Sequence, residues 1–233
     1  MSAAPGRHAP ETRSRILDAA EQLFVEYGLD GTSMRMITSM ASVNLAAVNY
    51  HFGSKESLIH EVFQRRLTEL NRQRLVALDR VEQRAAKEGV KVKPSQVLEA
   101  FFSPALELAT DIEHGGRIFM QLLGRTYTEP NAFVRKFLAE EYAETLERFL
   151  AALYASLPGV PREEILWRFH FMMGATSYAI AGTDALQLFA GHFDDKDPGR
   201  MLPRLMSFLL GGLRAQLPEF CDAPAKEGGR EAA

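Results

Sequence analysis

The 233 residues are 46% hydrophobic and 24% charged, ordinary globular usage that excludes a wholly disordered chain, a collagen-like repeat and a disulfide scaffold. The length allows one domain, or a small one with a larger one. The net charge of −3 excludes a polycation, but it is unevenly spread: residues 1–93 hold 14 Lys/Arg and 11 Asp/Glu, residues 94–233 hold 13 and 19. A more basic first third on an acidic body is read either as local contact with a polyanion or as an uneven solvated surface. The single cysteine, Cys221, cannot form an internal disulfide or a multi-cysteine zinc site, and it fits a reducing compartment. No run approaches the ~20 apolar residues that span a bilayer. The first residues lack the apolar core of a signal peptide, so a cytoplasmic location is expected.

Helical periodicity dominates from end to end. Residues 1–9 read as a flexible arm. From 11 to 27, Ile16, Ala19, Ala20, Leu23, Phe24 and Tyr27 recur at helical spacing, with Pro10 suited to the start and Gly28 to the end. Thr32 or Ser33 is placed to cap a short helix over 33–40. Ala41-Ser42-Val43 forms a turn before a second short helix, Asn44 to Tyr50, closed by Phe52-Gly53. Ser54 opens a long helix to about Arg84, and the charge-rich stretch from Arg65 to Lys93 reads as a solvated helix end and loop. From 95 to 127 the pattern is apolar and helical, with breaks expected at Pro104 and Gly115-Gly116. An amphipathic helix over 131–156 places Phe133, Phe137, Tyr142 and Phe149 on its inner side. Residues 162–190 and 200–217 complete an all-α chain of about nine helices. Residues 219–233 read as a flexible tail.

Three short helices joined by tight turns over residues 10–55 suggest a helix-turn-helix unit, with residues 56–218 as a larger helical body. The second helix of such a pair must be small and must show short or polar side chains on one face to enter a ~12 Å-wide major groove. In NLAAVNYHF, Val48 and Phe52 lie four apart and face the core. Asn44, Leu45, Ala46, Ala47, Asn49 and Tyr50 are left for the outer face. Asn bonds base edges or phosphates, and Ala meets a thymine methyl.

Residues 11–63 resemble the DNA-binding domain of the TetR family of bacterial repressors. The strings ILDAAEQLF, GTSMRMI and YHFGSKESL carry the match, in order, across all three helices and the start of the fourth. The resemblance implies that Asn44, Leu45, Ala46 and Ala47 face bases. Asn49, Tyr50 and His51 then lie near phosphates, Ser33 and Arg35 touch phosphates from the preceding helix, and Lys55 does so at the start of the fourth. Arg7 and Arg13 are placed to reach an adjacent groove. Two positions depart from the family pattern: Ser42 stands where glycine is frequent, and Asn49 where an aromatic residue is frequent.

In this family the body forms an effector-binding and dimerisation domain. WRFHFMMGATSYAIAG, residues 167–182, with NLAAVNYHFGSK, is similar to the PsrA-type branch, whose members sense long-chain fatty acids or related acyl compounds. A lipid pocket needs an apolar lining with a few polar groups near one end. Phe101, Phe102, Leu106, Ile118, Phe119, Leu122, Phe137, Phe169, Met172 and Met173 are candidates for the lining. Arg117, Arg125, Arg168 and His170 are candidates for a carboxylate. Gly174, Tyr178 and Gly182, with Leu205, Phe208, Leu209 and Leu213, are expected at a two-fold dimer interface. The implied partners are a palindromic DNA operator, a hydrophobic small molecule and a second copy of the chain, with no membrane. Nucleophile-elbow, P-loop, HExxH and dinucleotide motifs are missing, so no catalytic residue, metal or cofactor is expected. A repressor of drug-like or aromatic ligands, and a helical ligand-binding protein with no DNA activity, are the alternative readings.

Overall fold

Helix α1 (His8–Gly31) is held by its apolar stripe: Ile16, Leu17, Ala20, Leu23 and Phe24 are all buried. The computed structural model of the chain describes residues 8–127, 131–180 and 198–219. Gly28, at φ +76°, interrupts α1, and the chain then turns Leu29 into the core. The Thr32 hydroxyl faces the carbonyls of Leu23 and Gly28 at 3.0 and 2.8 Å, tying this turn back onto α1. Ser33 rather than Thr32 caps α2 (Met34–Met40), accepting from the Met36 N–H. At the far end of α2 the Val43 N–H reaches back to the Thr38 carbonyl, and Ser42 takes φ +52°. That is a left-handed helix terminator, a position glycine fills with least strain. The following helix, α3 (Leu45–Phe52), turns Val48 and Phe52 inward, as its spacing predicts, and stops at Gly53 with φ +72°.

Helix α4 (Lys55–Glu88) is the spine of the molecule. Its 34 residues extend roughly 50 Å at 1.5 Å per residue. Ser54 caps its start and left-handed Gly89 closes it, so it runs past Arg84 and takes in much of the segment read as a charged loop. Leu58, Ile59, Val62, Phe63, Leu67, Leu70 and Leu78 are all buried, and the Phe63 ring meets Phe119 of the body at 6.1 Å and Phe137 at 6.3 Å. The buried side chains form one continuous cluster, so head and body share a core.

The body adds α5 (Pro94–Thr110), α6 (Gly116–Thr126), α7 (Ala132–Ser156), α8 (Arg162–Ile180) and α9 (Pro198–Leu213). Nine helices and no strand are present among the described residues. The break expected at Pro104 does not occur. Proline there forfeits only one backbone bond, and packing of Phe101, Phe102, Ala105 and Leu106 holds the helix through it. The break at Gly115-Gly116 is real: a Cβ on Gly116 would collide with the Leu108 carbonyl, so α5 and α6 cross as closely as glycine permits. Phe133 is 40% exposed rather than on the inner side of α7. The last helix stops at Leu213 rather than 217. Residues 181–190 of the expected eighth helix, with Gly182, lie outside the described residues, as do Arg7 and residues 220–233 of the tail.

Candidate nucleic-acid interface and effector cavity

Helices α2 and α3 present one polar outer face. Asn44, Leu45, Ala46, Asn49 and Tyr50 are exposed and Ala47 is half-buried. Tyr50 is 85% exposed, a solvation that core packing does not explain for an aromatic ring. His51 is half-buried between the rings of Tyr50 and Phe52. Ser33 and Arg35 are exposed at the start of α2, and Lys55 stands at the start of α4 with its ammonium 3.5 Å from the Asp30 carbonyl. The three capped helix N-termini, at Ser33, Asn44 and Ser54, add backbone N–H groups and a positive dipole end to this region. The chemistry fits a phosphate-lined groove.

Two roles change on inspection. Asn44 caps α3: its Oδ1 accepts from the Ala47 N–H at 2.8 Å, leaving only its amide N–H₂ for a base or phosphate. Arg13 is not a free arm residue. It pairs with Glu61 of α4 and lies over the Phe52 ring at 5.6 Å, so it braces the head.

Helix α6 joins the head to the body at both ends. Arg125 donates to the Val25 carbonyl of α1, and Arg66 of α4 donates to the His114 carbonyl just before α6. Between these ties, buried Glu21 of α1 pairs with Arg65 and lies 3.8 Å from Arg66. Burial pushes the Glu21 carboxyl above the ordinary glutamate range, and Arg65 opposes that shift.

Inside the body most of the expected pocket residues fill space. Phe101 sits with Phe102, Phe149 and Phe169 each 5.0 Å away in edge-on contact. Leu106, Phe119, Leu122 and Phe137 are likewise buried core. A small cavity of ≈ 20 Å³ has Arg74, Phe102, Ala105, Met120, Leu123, Gly124, Tyr127, Met173, Thr176, Ser177 and Ile180 around it, and a cleft of ≈ 420 Å³ between α5, α8 and α9 is lined by Leu157, Arg168, Leu210 and Leu213. Of the residues expected to bind ligand, only Phe102 and Met173 line the small cavity, and Ile118 does not. Wider clefts of ≈ 730 Å³ beside α7 and ≈ 590 Å³ between α4 and α5 lie open to solvent.

None of the expected carboxylate partners faces the cavity. Arg125 turns to α1. Arg117 and His170 are exposed, His170 lying on the outside of α8 between Trp167 and Phe171. Arg168 is buried, but it pairs with Glu164 at 2.8 Å and donates to the Leu213 carbonyl at the end of α9. The polar groups at the cavity are Arg74, Tyr127, Thr176 and Ser177. Sequence reasoning missed Arg74, which lies in the charge-rich stretch read as solvated; the signal was its place with Asn71 on the helical line of Leu67, Leu70 and Leu78.

The outward side of α8 carries Trp167, Phe171, Gly174 and Tyr178, at 53%, 64%, open and 58% exposed. Phe208 of α9 is 68% exposed and has Gly211 and Gly212 on the same side. Leu205, Leu209 and Leu213, expected at the dimer interface, are buried within the protomer. They lie on the inner line of α9, and Phe208 lies on the outer one. Among the described residues no helix is long and apolar enough to cross a membrane, and no His/Cys/Asp/Glu cluster has metal-binding geometry.

Residues 16–62 match the family profile described as bacterial regulatory proteins, tetR family, and residues 99–212 match that described as tetracyclin repressor-like, C-terminal domain. The HTH-type transcriptional repressor KstR2 of Rhodococcus jostii is 28% identical over 103 residues, 44% of this chain and 50% of that protein. The chain spans half or less of the length of the first curated relatives it matches. Among solved structures, the fatty acid degradation regulator FadR from Bacillus halodurans aligns with a TM-score of 0.55 at 17% identity, over 92% of this chain and 100% of that one. NalD of Pseudomonas aeruginosa, the secondary repressor of the MexAB-OprM multidrug efflux pump, aligns with 0.52 at 20% identity, over 88% and 97%. These structural likenesses show the fold.

Proposed function

This chain belongs to the TetR family of bacterial regulatory proteins and is a DNA-binding transcriptional regulator rather than an enzyme, and we propose that it represses transcription as an effector-released dimer. The observation that carries the DNA role is the exposed face of α3, where Tyr50 stands 85% in solvent above a fully buried Val48. In this reading α3 enters the major groove. Asn44, Leu45, Ala46 and Ala47 meet bases, and Ser33, Arg35, Asn49, Tyr50, His51 and Lys55 meet the backbone.

The apolar outer face of α8 and α9 supports a two-fold dimer built on Trp167, Phe171, Gly174, Tyr178 and Phe208. Two reading heads then sit on half-sites ~34–36 Å apart, which requires a palindromic operator.

The effector enters between α4, α5, α6 and α8. Ligand pockets usually run ~300–1,000 Å³, so the ≈ 20 Å³ cavity has to open. Met120 and Met173 give adaptable walls. Opening moves α6, whose Arg125 holds α1, and the head turns with it. The effector must therefore prefer the opened state for DNA to be released. We assign a long-chain fatty acid or its acyl-CoA as the effector, on the apolar walls of the cavity and the likeness to a fatty acid degradation regulator. A drug-like ligand is the second reading, favoured by the likeness to an efflux-pump repressor.

Binding to short duplexes carrying the palindromes upstream of the chain's own gene, at fixed salt and with or without fatty acid and acyl-CoA, tests this. Tight binding released by lipid is the expected result. Tight binding that lipid leaves unchanged removes the lipid effector. No sequence-specific binding to these duplexes or to any genomic fragment removes the repressor reading.

A further inference from the structure

Arg74 lies in the middle of α4 and is 2% exposed. Its Nε donates to the Phe101 carbonyl at 2.9 Å, and one Nη donates to Asn71 Oδ1 at 3.1 Å. The guanidinium lies 4.1 Å from the centre of the Phe101 ring and 5.6 Å from that of Tyr142. These contacts use two of the five N–H groups of an arginine. Every other strongly buried charge among the described residues has an opposite charge: Glu21 has Arg65, and Arg168 has Glu164. Arg74 has no aspartate or glutamate within ion-pair distance among the described residues. A buried cation held by one carbonyl, one side-chain amide and ring faces is incompletely compensated.

A second, independent feature sits on the same cavity. Thr176 of α8 is 6% exposed, and its hydroxyl is buried with no hydrogen-bond partner. A helical threonine commonly returns its hydroxyl to the carbonyl one turn earlier, and this one does not. Nearby, Tyr127 is 41% exposed as a residue while its hydroxyl is enclosed, meeting the Tyr142 hydroxyl at 3.1 Å. Burial pushes the Tyr127 pKa well above the ordinary tyrosine value, and its O–H is donated to Tyr142. Arg74, Tyr127 and Thr176 share one cavity, and Phe102, Met120, Leu123, Met173 and Ile180 supply its apolar walls.

We propose that Arg74 and the Thr176 hydroxyl recognise the carboxylate of an amphipathic acid whose hydrocarbon chain enters between α6 and α8. The ligand class is a free carboxylic acid with an apolar tail. An alcohol of the same chain length fills the same walls but leaves the guanidinium without its anion. The carboxylate takes the Nη–H donors that Asn71 leaves unused, as arginine donors do with planar anions. This rests on the effector reading above and deepens it. Arg74 lies on the helix that begins at Lys55, so the headgroup acts directly on the spine leading to the DNA.

The test is calorimetric titration of the full chain with dodecanoate and with 1-dodecanol, below their aggregation limits, alongside binding to a duplex selected from a random pool. The wild-type chain should bind dodecanoate at least about tenfold more tightly than 1-dodecanol. Arg74→Met should remove that preference and leave 1-dodecanol affinity within about threefold, with duplex binding retained. Arg74→Lys should keep part of the preference. Should Arg74→Met fail to fold, Thr176→Val carries the test: it matches threonine in shape and should weaken dodecanoate about three- to tenfold while sparing 1-dodecanol. Equal affinity of the wild type for acid and alcohol overturns the proposal, as does an undiminished preference in a folded Arg74→Met or Thr176→Val chain. Binding of neither ligand overturns it too. Duplex binding in that same sample separates this failure from failure of the regulator reading.

Discussion

The head holds its proposed recognition groups outside the packed core, and the body holds its own inside it. In the head, Val48 and Phe52 close the interior, and the side chains proposed to meet DNA stand outside it on α2, α3 and the start of α4. In the body, Arg74 and Thr176 are themselves inside, against a cavity with room for about one water. An outward face can be ready before its ligand arrives. An inward one can be filled only by moving the helices that enclose it. The head is therefore suited to being a fixed reader and the body to being a switch, and the shared core with its α1–α4–α6 ties lets one act on the other.

The largest effect should come from separating two heads. Phe171→Glu combined with Phe208→Glu places charge on the outer apolar face without touching the buried Leu205, Leu209 or Leu213. Sedimentation should show monomers, and operator affinity should fall by about 100-fold or more. Retained dimers would move the interface elsewhere.

Next is the head alone. Asn44→Asp keeps an oxygen to cap the Ala47 N–H, so the melting temperature should stay within about 1 °C. The variant loses the amide donor and puts a carboxylate toward phosphates, and duplex affinity should fall by about 10- to 100-fold in anisotropy titrations. A large loss of stability with it would mean that Asn44 acts chiefly in folding.

Arg125→Met addresses the connection between the two regions. Duplex affinity should stay within about threefold, while the effector concentration needed for half release rises by about tenfold. Loss of duplex binding by itself would make Arg125 part of the reader instead.

Ser42→Gly relieves the left-handed strain at the end of α2. It should stabilise by about 0.5–1 kcal/mol, seen as a small rise in the midpoint of chemical unfolding with unchanged slope.

The smallest effect concerns the joint at Glu21. Its folded pKa is raised by burial, so its contribution to stability is complete below about pH 4.3, the ordinary glutamate value, and is lost as pH rises through the raised one. Wild type should therefore gain on Glu21→Gln in paired thermal unfolding as the pH is lowered from 7 to 5. A difference that shrinks over that range would contradict the raised pKa.

Much of the head was legible from residue order. Its helices are short, its turns carry Ser33, Asn44, Gly53 and Ser54 at capping positions, and a period of 3.6 assigns Val48 and Phe52 to one side and Tyr50 to the other. The left-handed turn at Ser42 was indicated instead by the family pattern, in which glycine is frequent at that position. The apolar line of α4 was legible as far as Leu70, but Asn71 and Arg74 fall in a stretch whose charge reads as solvated, and only the packing buries them.

The body's partners were decided by packing across long separations. Periodicity marks Phe101, Phe137 and Phe169 as apolar, but an apolar side chain serves equally as core or as pocket wall. Only the crossing of helices shows that these rings fill their own space. On α9, Phe208 and Leu209 are neighbours of similar hydropathy, and the docking of α9 on α8 and α5 turns one outward and the other inward. Arg125, Arg168 and Arg74 look alike as residues. Their partners lie 100, 45 and 27 positions away, so which cation ties helices together and which is left facing a cavity is set by the fold. The order of residues determined the helices and their apolar faces because those depend on neighbours within a turn or two. The placement of these guanidinium groups against distant backbone carbonyls depended on contacts that exist only once the chain has closed on itself.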